Sequence, residues 1–470
     1  MKKLTKIIAT ISDKRCDVDF LNSLNKSGMD AVRINTAHQT PDESLKIIKN
    51  VREVSDRIPI LIDTKGPEIR TCHAEEDIIV NTGDVINVKG DPDKISSKEC
   101  LYVDCSNFAN LLETGKSIMI DDGDIELVVS EKTNNHLVCT AKNKGIIKQR
   151  KSVNLPGTHV NLPSLTDKDK EYIQFAIDHN IAYIAHSFVR NKEDVVAIQE
   201  ILDKANSPVK IIAKIENQQG VDNIDEILDH VYGVMIARGD LAIEIPAEKI
   251  PGIQTMIINK CILKKRTVIV ATQMLHSMII NPRPTRAEVT DIANAVFFGT
   301  DAIMLSGETA IGKYPVESVQ IMTRTAIETE KAKNYSAEQQ VLPHDNDISV
   351  FLSKTAVRSI AALNTKAIIT DTDTGKTARY LAAFRGRTTI YAQCYDARVV
   401  RELGIVYGVY ADFIDVETSK KTFIKTTINR LIDRDEINPD NLIAVLAGNF
   451  GKKAGPSFVE ISTASNLLIS

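Results

Sequence analysis

The chain has 470 residues, of which 43% are hydrophobic and 26% are charged, and its formal net charge is −4. This length predicts two or three domains, and the composition is typical of a soluble globular protein. A mildly acidic chain lacks the basic excess that nucleic-acid binding requires, and no apolar run approaches the length of a membrane span. We therefore expect neither a nucleic acid nor a membrane as a partner.

The cysteines and the N-terminus predict a cytoplasmic protein. Seven cysteines are scattered along the chain, and none has the C-x-x-C spacing of a zinc or redox site. Reduced thiols are the simpler interpretation. The N-terminal run MKKLTKIIATISDKR has the basic start of a signal peptide, but Thr and Ser interrupt its apolar part and an A-x-A site is missing. We interpret this run as a first β-strand.

Short β-branched runs alternate with amphipathic helical segments along the first two thirds of the chain. There are eight such runs, KIIATIS from Lys6, AVRIN from Ala31, IPILIDT from Ile58, IAYIAHSF from Ile181, KIIAKIE from Lys210, GVMIA from Gly233, TVIVATQ from Thr267 and AIMLSGE from Ala302. Eight strands alternating with helices predict an α/β fold, specifically a (β/α)8 TIM barrel.

Two further regions differ from the barrel pattern. Residues 72–154 contain short alternating runs split by Gly, Asn and Asp turns, which predict a small β-barrel inserted as a lid after the third strand. The catalytic barrel then takes residues 1–71 and 155–336. A polar linker, EQQVLPHDNDIS, opens residues 337–470. There, helices alternate with three predicted strands, KAIIT, TTIYAQ and NLIAVLAG, which predict a C-terminal α/β domain with a mostly parallel sheet.

Charged residues gather where the predicted barrel strands end. Lys214 and Glu216 lie two apart on one strand and so project to the same side, and Asp240 closes the next strand. A cation beside two carboxylates suits a divalent metal and an anionic substrate, although a network of surface ion pairs is the ordinary alternative. Further polar and charged residues follow the other predicted strands, and together they favour phosphate chemistry assisted by a metal. They are Arg33, Asn35, Asp63, Thr64, Glu68, Arg70, Thr272 and Ser306-Gly307-Glu308.

Longer motifs carry a family resemblance over essentially the whole chain. They are RINTAH, DTKGPEIRT, KSVNLPG, KIENQQG, IARGDLAIEIP, ATQMLHSM, NPRPTRAE, GTDAIMLSGETAIGKYP and TDTDTGKTA. In this order they resemble the pyruvate kinase family. The resemblance implies a catalytic barrel, a lid and a C-terminal domain, assembled as a homotetramer. It also implies transfer of the phosphoryl group of phosphoenolpyruvate to ADP, which yields pyruvate and ATP.

The resemblance also implies roles for individual residues. Catalysis falls to Lys214, Thr272 and Arg70. The cations are Mg²⁺ or Mn²⁺, held by Glu216 and Asp240, and K⁺, held by Asn35, Asp63 and Thr64. The substrate contacts are Arg33, Lys214, Thr272 and free backbone N–H groups around Ala237, Gly239 and Asp240. The nucleotide contacts are Asn35, His38, Arg70 and Lys151. Asp122 is similar to a residue that closes over the site, although an Asp-Asp-Gly hairpin turn explains it almost as well.

Three positions depart from the family pattern. Ala37 stands where the family usually has a serine that helps to coordinate K⁺, and Ser152 and Ala242 replace glycines. We expect the two glycine replacements to affect backbone packing more than chemistry. Glu68 is the residue type that accompanies K⁺ dependence in the family.

The tail motif TDTDTGKT follows a predicted strand and ends in GKT. It is not a Walker A loop, because Thr370 stands where the first glycine is required. In the family this loop binds a sugar-phosphate effector, which implies a phosphorylated metabolite at Thr372, Thr374, Lys376, Thr377 and Lys452, with Lys453 beside it. The alternative is a plain helix N-cap.

Two other functions stay open at this point. One is a catalytically inactive relative that only binds sugar phosphates, and the other is a metal-dependent enolate lyase on a related barrel. The lyase lacks the DTKGPEIR and PRPTRAE segments and the tail domain. The intact set of Lys214, Glu216, Asp240, Arg70 and Thr272 argues against loss of catalysis.

Overall fold

Strands and helices alternate through most of the computed structural model, which describes residues 2–158, 160, 162–333, 347–415, 419–448 and 455–469. The strands are β1 (Lys6–Ile11), β2 (Ala31–Asn35), β3 (Ile60–Asp63), β4 (Ile69–Arg70), β5 (Ile78–Val80), β6 (Val85–Gly90), β7 (Cys100–Val103), β8 (Ser117–Ile120), β9 (Ile125–Lys132), β10 (Leu137–Ala141), β11 (Gly145–Ile147), β12 (Ser152–Asn154), β13 (Tyr183–His186), β14 (Lys210–Ile215), β15 (Gly233–Ala237), β16 (Thr267–Ala271), β17 (Ala302–Leu305), β18 (Ala367–Thr372), β19 (Thr389–Cys394), β20 (Val409–Phe413), β21 (Leu442–Gly448) and β22 (Pro456–Thr463).

The helices are α1 (Val18–Lys26), α2 (Pro41–Val54), α3 (Phe108–Leu111), α4 (Asp167–Asp178), α5 (Lys192–Lys204), α6 (Gln218–Asp222), α7 (Ile224–His230), α8 (Arg238–Glu244), α9 (Ile250–Leu263), α10 (Arg286–Phe298), α11 (Gly307–Ala310), α12 (Pro315–Ala332), α13 (Ile348–Leu363), α14 (Lys376–Ala383), α15 (Ala397–Glu402), α16 (Lys420–Asp433) and α17 (Ala464–Ile469). Within the described ranges, no helix combines the length and the apolar character needed to cross a membrane.

Eight parallel strands close into a barrel in the order β1-β17-β16-β15-β14-β13-β3-β2. These are the eight runs found in the sequence, so the predicted TIM barrel is confirmed. Strands such as β1 and β16 are buried at every position, as expected where helices cover a parallel sheet. The register pairs Asn35 with Asp63 and Lys214 with Met235. The strand-end side chains therefore meet at one rim of the barrel.

Several barrel helices begin at a capping box, in which a side chain and a backbone N–H satisfy each other reciprocally. Thr40 and Glu43 form such a box at the start of α2, where Pro41 occupies the first turn. Thr285 and Glu288 do the same for α10. Each cap contributes about 1 kcal/mol, so the sequence itself fixes where these helices start.

The segment between β3 and β13 forms a mostly antiparallel sheet of seven strands in the order β4-β12-β8-β9-β10-β6-β7. Only β6 and β7 pair in parallel. A bridge between Thr71 and Val103 joins the two edges of this sheet, and β5 and β11 form a separate pair. Its apolar core, which includes Val88, Leu101 and Leu127, is separate from the barrel core. These features match the predicted inserted lid.

The C-terminal region contains a five-stranded sheet in the order β20-β19-β18-β21-β22. All neighbours are parallel except β22, which runs antiparallel to β21. Successive residues of β18 point to opposite faces, so Ile368 joins one apolar cluster and Ile369 joins the other. The predicted α/β domain with a mostly parallel sheet is therefore confirmed.

A buried ion pair fastens the C-terminal domain to the barrel. The guanidinium of Arg385 donates to both carboxylate oxygens of Asp301, at 2.9 Å and 2.7 Å. The backbone N–H groups of Val268 and Tyr407 complete the shell of this carboxylate, each at 3.0 Å. Both side chains are almost fully buried, so loss of one partner would leave an uncompensated charge at a cost of about 3–5 kcal/mol.

Candidate active site

Lys214 is the centre of a buried charge cluster at the barrel rim. Its Nζ lies 2.9 Å from Glu216 Oε1 and 3.1 Å from Asp63 Oδ2. It also donates to Ser187 Oγ at 2.8 Å. Burial alone would lower the pKa of Lys214, but Glu216 and Asp63 outweigh burial and raise it. The ammonium therefore stays charged although only 9% of the residue is exposed.

Arg33 adds a second cation on the same carboxylate. Its Nη2 donates to Asp63 Oδ2 at 2.6 Å and its Nη1 donates to Thr10 Oγ1 at 3.2 Å. Burial favours the neutral form of Asp63, but Arg33 and Lys214 overcome it and hold the pKa of this carboxyl below its ordinary value. The Arg33 Nε is buried and has no hydrogen-bond partner among the residues that the structure describes, so a donor remains for an anion.

Glu216 and Asp240 form a pair of adjacent carboxylates. Burial, followed by the charge of Glu216, raises the pKa of Asp240 to about 7. Glu216 Oε2 accepts the N–H of Phe188 at 2.6 Å, which orients that side chain. Two adjacent carboxylates are a hard oxygen donor set for a divalent cation, and this fits Mg²⁺ or Mn²⁺.

The number of protein ligands also suits Mg²⁺. The described residues contain no cluster of three or more His, Cys, Asp or Glu side chains able to hold a metal. Mg²⁺ usually takes one or two carboxylates and completes its shell with water and substrate oxygens. Two carboxylates at the rim are therefore enough for a magnesium site that includes the substrate.

Thr272 lies beside the first turn of α8 in a left-handed conformation, with φ of 66°. Its Oγ1 accepts the N–H of Gly239 at 2.8 Å and donates to the carbonyl of Ala271 at 2.6 Å. The sequence led us to expect a free N–H at Gly239, and the structure differs, because Thr272 already occupies it. Placing a β-branched residue in this conformation costs about 1–3 kcal/mol, a strain typical of functional sites.

Arg238 holds Thr272 in this conformation, and the sequence analysis missed it. Its Nη2 donates to the carbonyl of Thr272 at 2.7 Å, and its Nη1 donates to Asp291 Oδ1 at 2.7 Å. The side chain is buried. The only available signal was a charged residue directly after a buried strand, and nothing in the sequence shows that it points at the next strand.

Asp63 also supplies a free oxygen beside the residues expected to bind K⁺. Its Oδ1 is buried and has no hydrogen-bond partner among the described residues, as a cation ligand would. The Thr64 carbonyl accepts a hydrogen bond from Ser187 Oγ at 2.7 Å. Ser187, which could not be found from the sequence, therefore links Lys214 to the residues expected to bind K⁺. Asn35 Oδ1 accepts the N–H of Ala37 at 3.2 Å. The orphaned carboxylate oxygen fits a monovalent cation.

The residues expected to contact the nucleotide are spread over the rim and the lid. Arg70 lies on the lid strand β4, where its Nε donates to Glu68 Oε2 at 2.8 Å and its Nη1 donates to the carbonyl of Arg150 at 2.7 Å. These bonds do not reach the cluster around Lys214. Lys151 Nζ contacts Asp121 Oδ1 at 2.8 Å. His38 is exposed and has no hydrogen bond within the described ranges.

Ser152 holds Asp122 at the tip of the lid. Its hydroxyl accepts the N–H of Asp122 at 3.1 Å and donates to Asp122 Oδ1 at 3.0 Å. Asp122 and Asp240 line the same cavity of about 210 Å³ between lid and barrel. We expected Ser152 to affect backbone packing more than chemistry, and this expectation was incomplete, because its hydroxyl bonds an acidic side chain that lines the cavity. Ala242, by contrast, is exposed on α8.

The tail motif forms the turn between β18 and α14. Thr372 and Thr377 are buried, whereas Thr374 and Lys376 are exposed. The residue that caps α14 is Gly375, with φ of 73°, and among the described residues no side-chain cap bond is present at this helix start. The alternative of a plain side-chain cap therefore has no support in the geometry. Lys452 and Lys453 lie outside the described residues.

A closed parallel barrel that gathers Arg33, Lys214, Asp63, Glu216 and Asp240 at its C-terminal rim has the arrangement of a metal-assisted phosphotransferase. Comparison with known proteins agrees with this class. Residues 2–319 match the family model for the pyruvate kinase barrel domain, and residues 351–461 match the model for the pyruvate kinase alpha/beta domain.

Individual relatives agree over the full length. The chain is 44% identical to the pyruvate kinase of Borreliella burgdorferi, covering 100% of this chain and 99% of that one. It is 39% identical to the pyruvate kinase of Bacillus licheniformis, covering 99% and 81%. A crystal structure of a pyruvate kinase from Cryptosporidium parvum superposes with a TM-score of 0.93 at 34% identity, covering 98% and 96%. The chain belongs to the pyruvate kinase family and is a phosphotransferase.

Proposed function

We propose that this protein transfers the phosphoryl group of phosphoenolpyruvate to ADP, giving pyruvate and ATP. The observation that carries this proposal is the charged Lys214, held within 3.1 Å of both Asp63 and Glu216 at the rim of a family barrel. A fixed cation at this place needs no reorganisation when negative charge moves during the reaction.

The two buried cations divide the work on the substrate. Arg33 has an Nε without a partner in the described part of the chain, which is available for the phosphate, and its fork geometry suits an anion. Lys214 neutralises the phosphoryl group as it passes from the enol oxygen to the terminal phosphate of ADP, and then the enolate that is left behind. Catalysis in such a site is mainly positional and electrostatic.

The cation sites follow from the donor atoms. Glu216 and Asp240 would hold Mg²⁺ or Mn²⁺, and Asp63, Asn35 and Thr64 would hold K⁺. When bound, these cations neutralise charge on the substrate oxygens. The metal binds the ionised form of Asp240, so metal and proton compete for this carboxylate, whose pKa is raised to about 7.

Thr272 and Gly239 recognise the carboxylate of the substrate. We infer that the carboxylate takes over the N–H of Gly239, with the backbone at Ala237 and Asp240 beside it. The Thr272 hydroxyl is then released from Gly239 and faces the enolate, where it relays a proton rather than acting as a strong acid.

Closure of the lid completes the nucleotide site. Arg70 and Lys151, which stand on the lid sheet or beside it, would move toward the phosphates of ADP, while Asn35 and His38 contact the nucleotide from the barrel. Asp122, held by Ser152, closes over the same cleft. The domain limits at residues 72–154 and 337–470 stay predictions.

Regulation and assembly form the outer part of the proposal. A phosphorylated metabolite would bind at Thr372, Thr374, Lys376, Thr377 and Lys452. This is supported by the start of α14 at Gly375, where the described residues show no side-chain cap and a helix N-terminus favours an anion. Membership of the family is the support for a homotetramer. A cytoplasmic location stays a prediction.

A coupled assay of pyruvate formation from phosphoenolpyruvate and ADP, with Mg²⁺ and K⁺, tests the proposal. Turnover that depends on both substrates supports it and excludes the inactive relative and the enolate lyase. Absence of turnover in a folded preparation would contradict it.

A further inference from the structure

A large crevice lies where the barrel meets the C-terminal domain, away from both sites described above. Its volume is about 720 Å³. One wall is the end of α12 together with Lys2 and Leu4, which precede β1, and the other wall is the starting edge of β18 and β19. The catalytic rim is at the opposite ends of the barrel strands. The Thr372 loop is at the opposite end of β18, which spans about 20 Å.

The crevice is lined by an excess of positive charge. Its cationic residues are Lys2, Lys331, Lys333, Lys366, Arg387 and Arg434, and its acidic residues are Glu330, Asp435 and Glu436. Glu330 is fully engaged, because its two oxygens accept the N–H groups of Leu4 at 2.9 Å and Thr5 at 2.7 Å. Glu436 pairs with Lys2 at 2.6 Å. Lys331 pairs with Glu328 and Arg434 pairs with Asp412, each at 2.7 Å. Lys366 and Arg387 are the cationic residues of the crevice for which the described part of the chain shows no acidic partner.

Two cations on the domain edge are available to a ligand. Arg387 is exposed and makes no hydrogen bond or ion pair with any residue that the structure describes. Lys366 is exposed, and its Nζ contacts only the amide oxygen of Asn364, at 3.3 Å. They precede neighbouring parallel strands, since Ala367 pairs with Thr389. A guanidinium fork beside an ammonium suits phosphate or carboxylate oxygens.

On the opposite wall, Lys331 forms an exposed ion pair with Glu328 at 2.7 Å, and Lys333 follows two residues later. Burial, followed by the charge of Arg385, lowers the pKa of Lys333 to about 8. Its Nζ also donates to the carbonyl of Val296 at 3.4 Å. A ligand with anionic groups at both ends would contact cations of both domains.

We propose that this crevice is a second anion-binding site, selective for small polyanions that carry at least two phosphate or carboxylate groups. Binding joins the end of α12 to the starting edge of the C-terminal sheet. Glu330 of α12 joins this helix to the backbone in front of β1. A ligand that contacts α12 and the C-terminal sheet together therefore stabilises the contact between the two domains.

Residue-specific acetylation of lysines, read by mass spectrometry, tests this site without interference from anions bound elsewhere. The probes are inorganic pyrophosphate and citrate, at equal ionic strength and with no divalent cation. We expect either probe at millimolar concentration to slow acetylation of Lys366 at least about threefold. Lys421 and Lys425, exposed on α16 of the same domain, serve as internal controls and should not change.

The variant Arg387→Glu removes the available fork and adds a like charge. It should abolish the protection of Lys366 while turnover in the coupled assay stays at the wild-type level. Lys425→Glu is the matched charge reversal outside the crevice and should retain the protection. Protection by pyrophosphate alone would assign the site to phosphates, and protection by citrate alone would assign it to carboxylates. Unchanged reactivity of Lys366 with both probes, or protection that survives in Arg387→Glu, would overturn the proposal.

Discussion

The hydroxyl of Ser152 bonds Asp122 twice, by accepting its N–H at 3.1 Å and by donating to its carboxylate at 3.0 Å. Asp122 has a φ of 55°, and the preceding Asp121 has a φ of 56°. Two successive non-glycine residues in the left-handed region need outside support. Ser152 supplies it on the neighbouring strand, so the acidic tip of the lid has one fixed orientation toward the cleft.

Replacing Ser152 by Gly should therefore impair closure of the lid. Each lost hydrogen bond contributes about 0.5–1.5 kcal/mol, so we expect kcat/KM for phosphoenolpyruvate to fall about threefold to tenfold. Ser152→Thr keeps a hydroxyl and should restore it. Ser130→Gly, in the same sheet, controls for the loss of an exposed serine. Wild-type kinetics in Ser152→Gly would show that the hydrogen bonds between Ser152 and Asp122 have no role in closure of the lid.

Replacing the two rim carboxylates by amides should weaken activation by Mg²⁺. Glu216→Gln and Asp240→Asn keep the side-chain shape but remove the charge that a hard cation needs. The measurement is the midpoint of Mg²⁺ activation in the coupled assay. Glu248→Gln, on an exposed turn after α8, should not shift the midpoint. If both rim variants kept the wild-type midpoint, the metal would bind elsewhere.

K⁺ should activate the enzyme, but the K⁺ concentration at half-maximal activation should be higher than it would be with a serine in place of Ala37. Glu68 predicts K⁺ dependence, whereas Ala37 removes a hydroxyl from the shell that contains Asp63 Oδ1. A water can replace that oxygen at an ordering cost of up to about 2 kcal/mol. KCl is titrated against a bulky organic cation at constant ionic strength. Ala37→Ser should lower the midpoint, and full activity without K⁺ would refute the Glu68 argument.

A negative charge introduced into the loop between β18 and α14 should prevent binding of a phosphorylated effector. Thr374 is exposed in the turn before α14, so Thr374→Glu is expected to fold and to repel a phosphate. The test is a thermal-shift screen of phosphorylated metabolites on the wild type and the variant. Thr355→Glu, on α13, is a control with the same charge change. No shift by any metabolite in the wild type would leave the loop without a ligand.

The barrel could be predicted from the sequence because its eight strands are buried, β-branched runs, and the segments between them have apolar residues at helical spacing. It missed β20 and β22, both at the edges of the C-terminal sheet, where only part of the strand is buried and the apolar signal is weak. It brought Lys214 and Glu216 together through their spacing on one strand. Bonds between distant segments, such as Ser187 to Lys214 and Arg238 to Thr272, leave no local pattern, and only the folded chain shows them.

The most direct measurement is turnover of phosphoenolpyruvate and ADP by Lys214→Met. Methionine keeps much of the length of the side chain and removes the charge that acts where negative charge moves. We expect turnover to fall at least about 100-fold, with the chain still folded. Lys192→Met, exposed at the start of α5, should keep wild-type turnover. Near wild-type turnover in Lys214→Met would contradict the assignment of this lysine to catalysis.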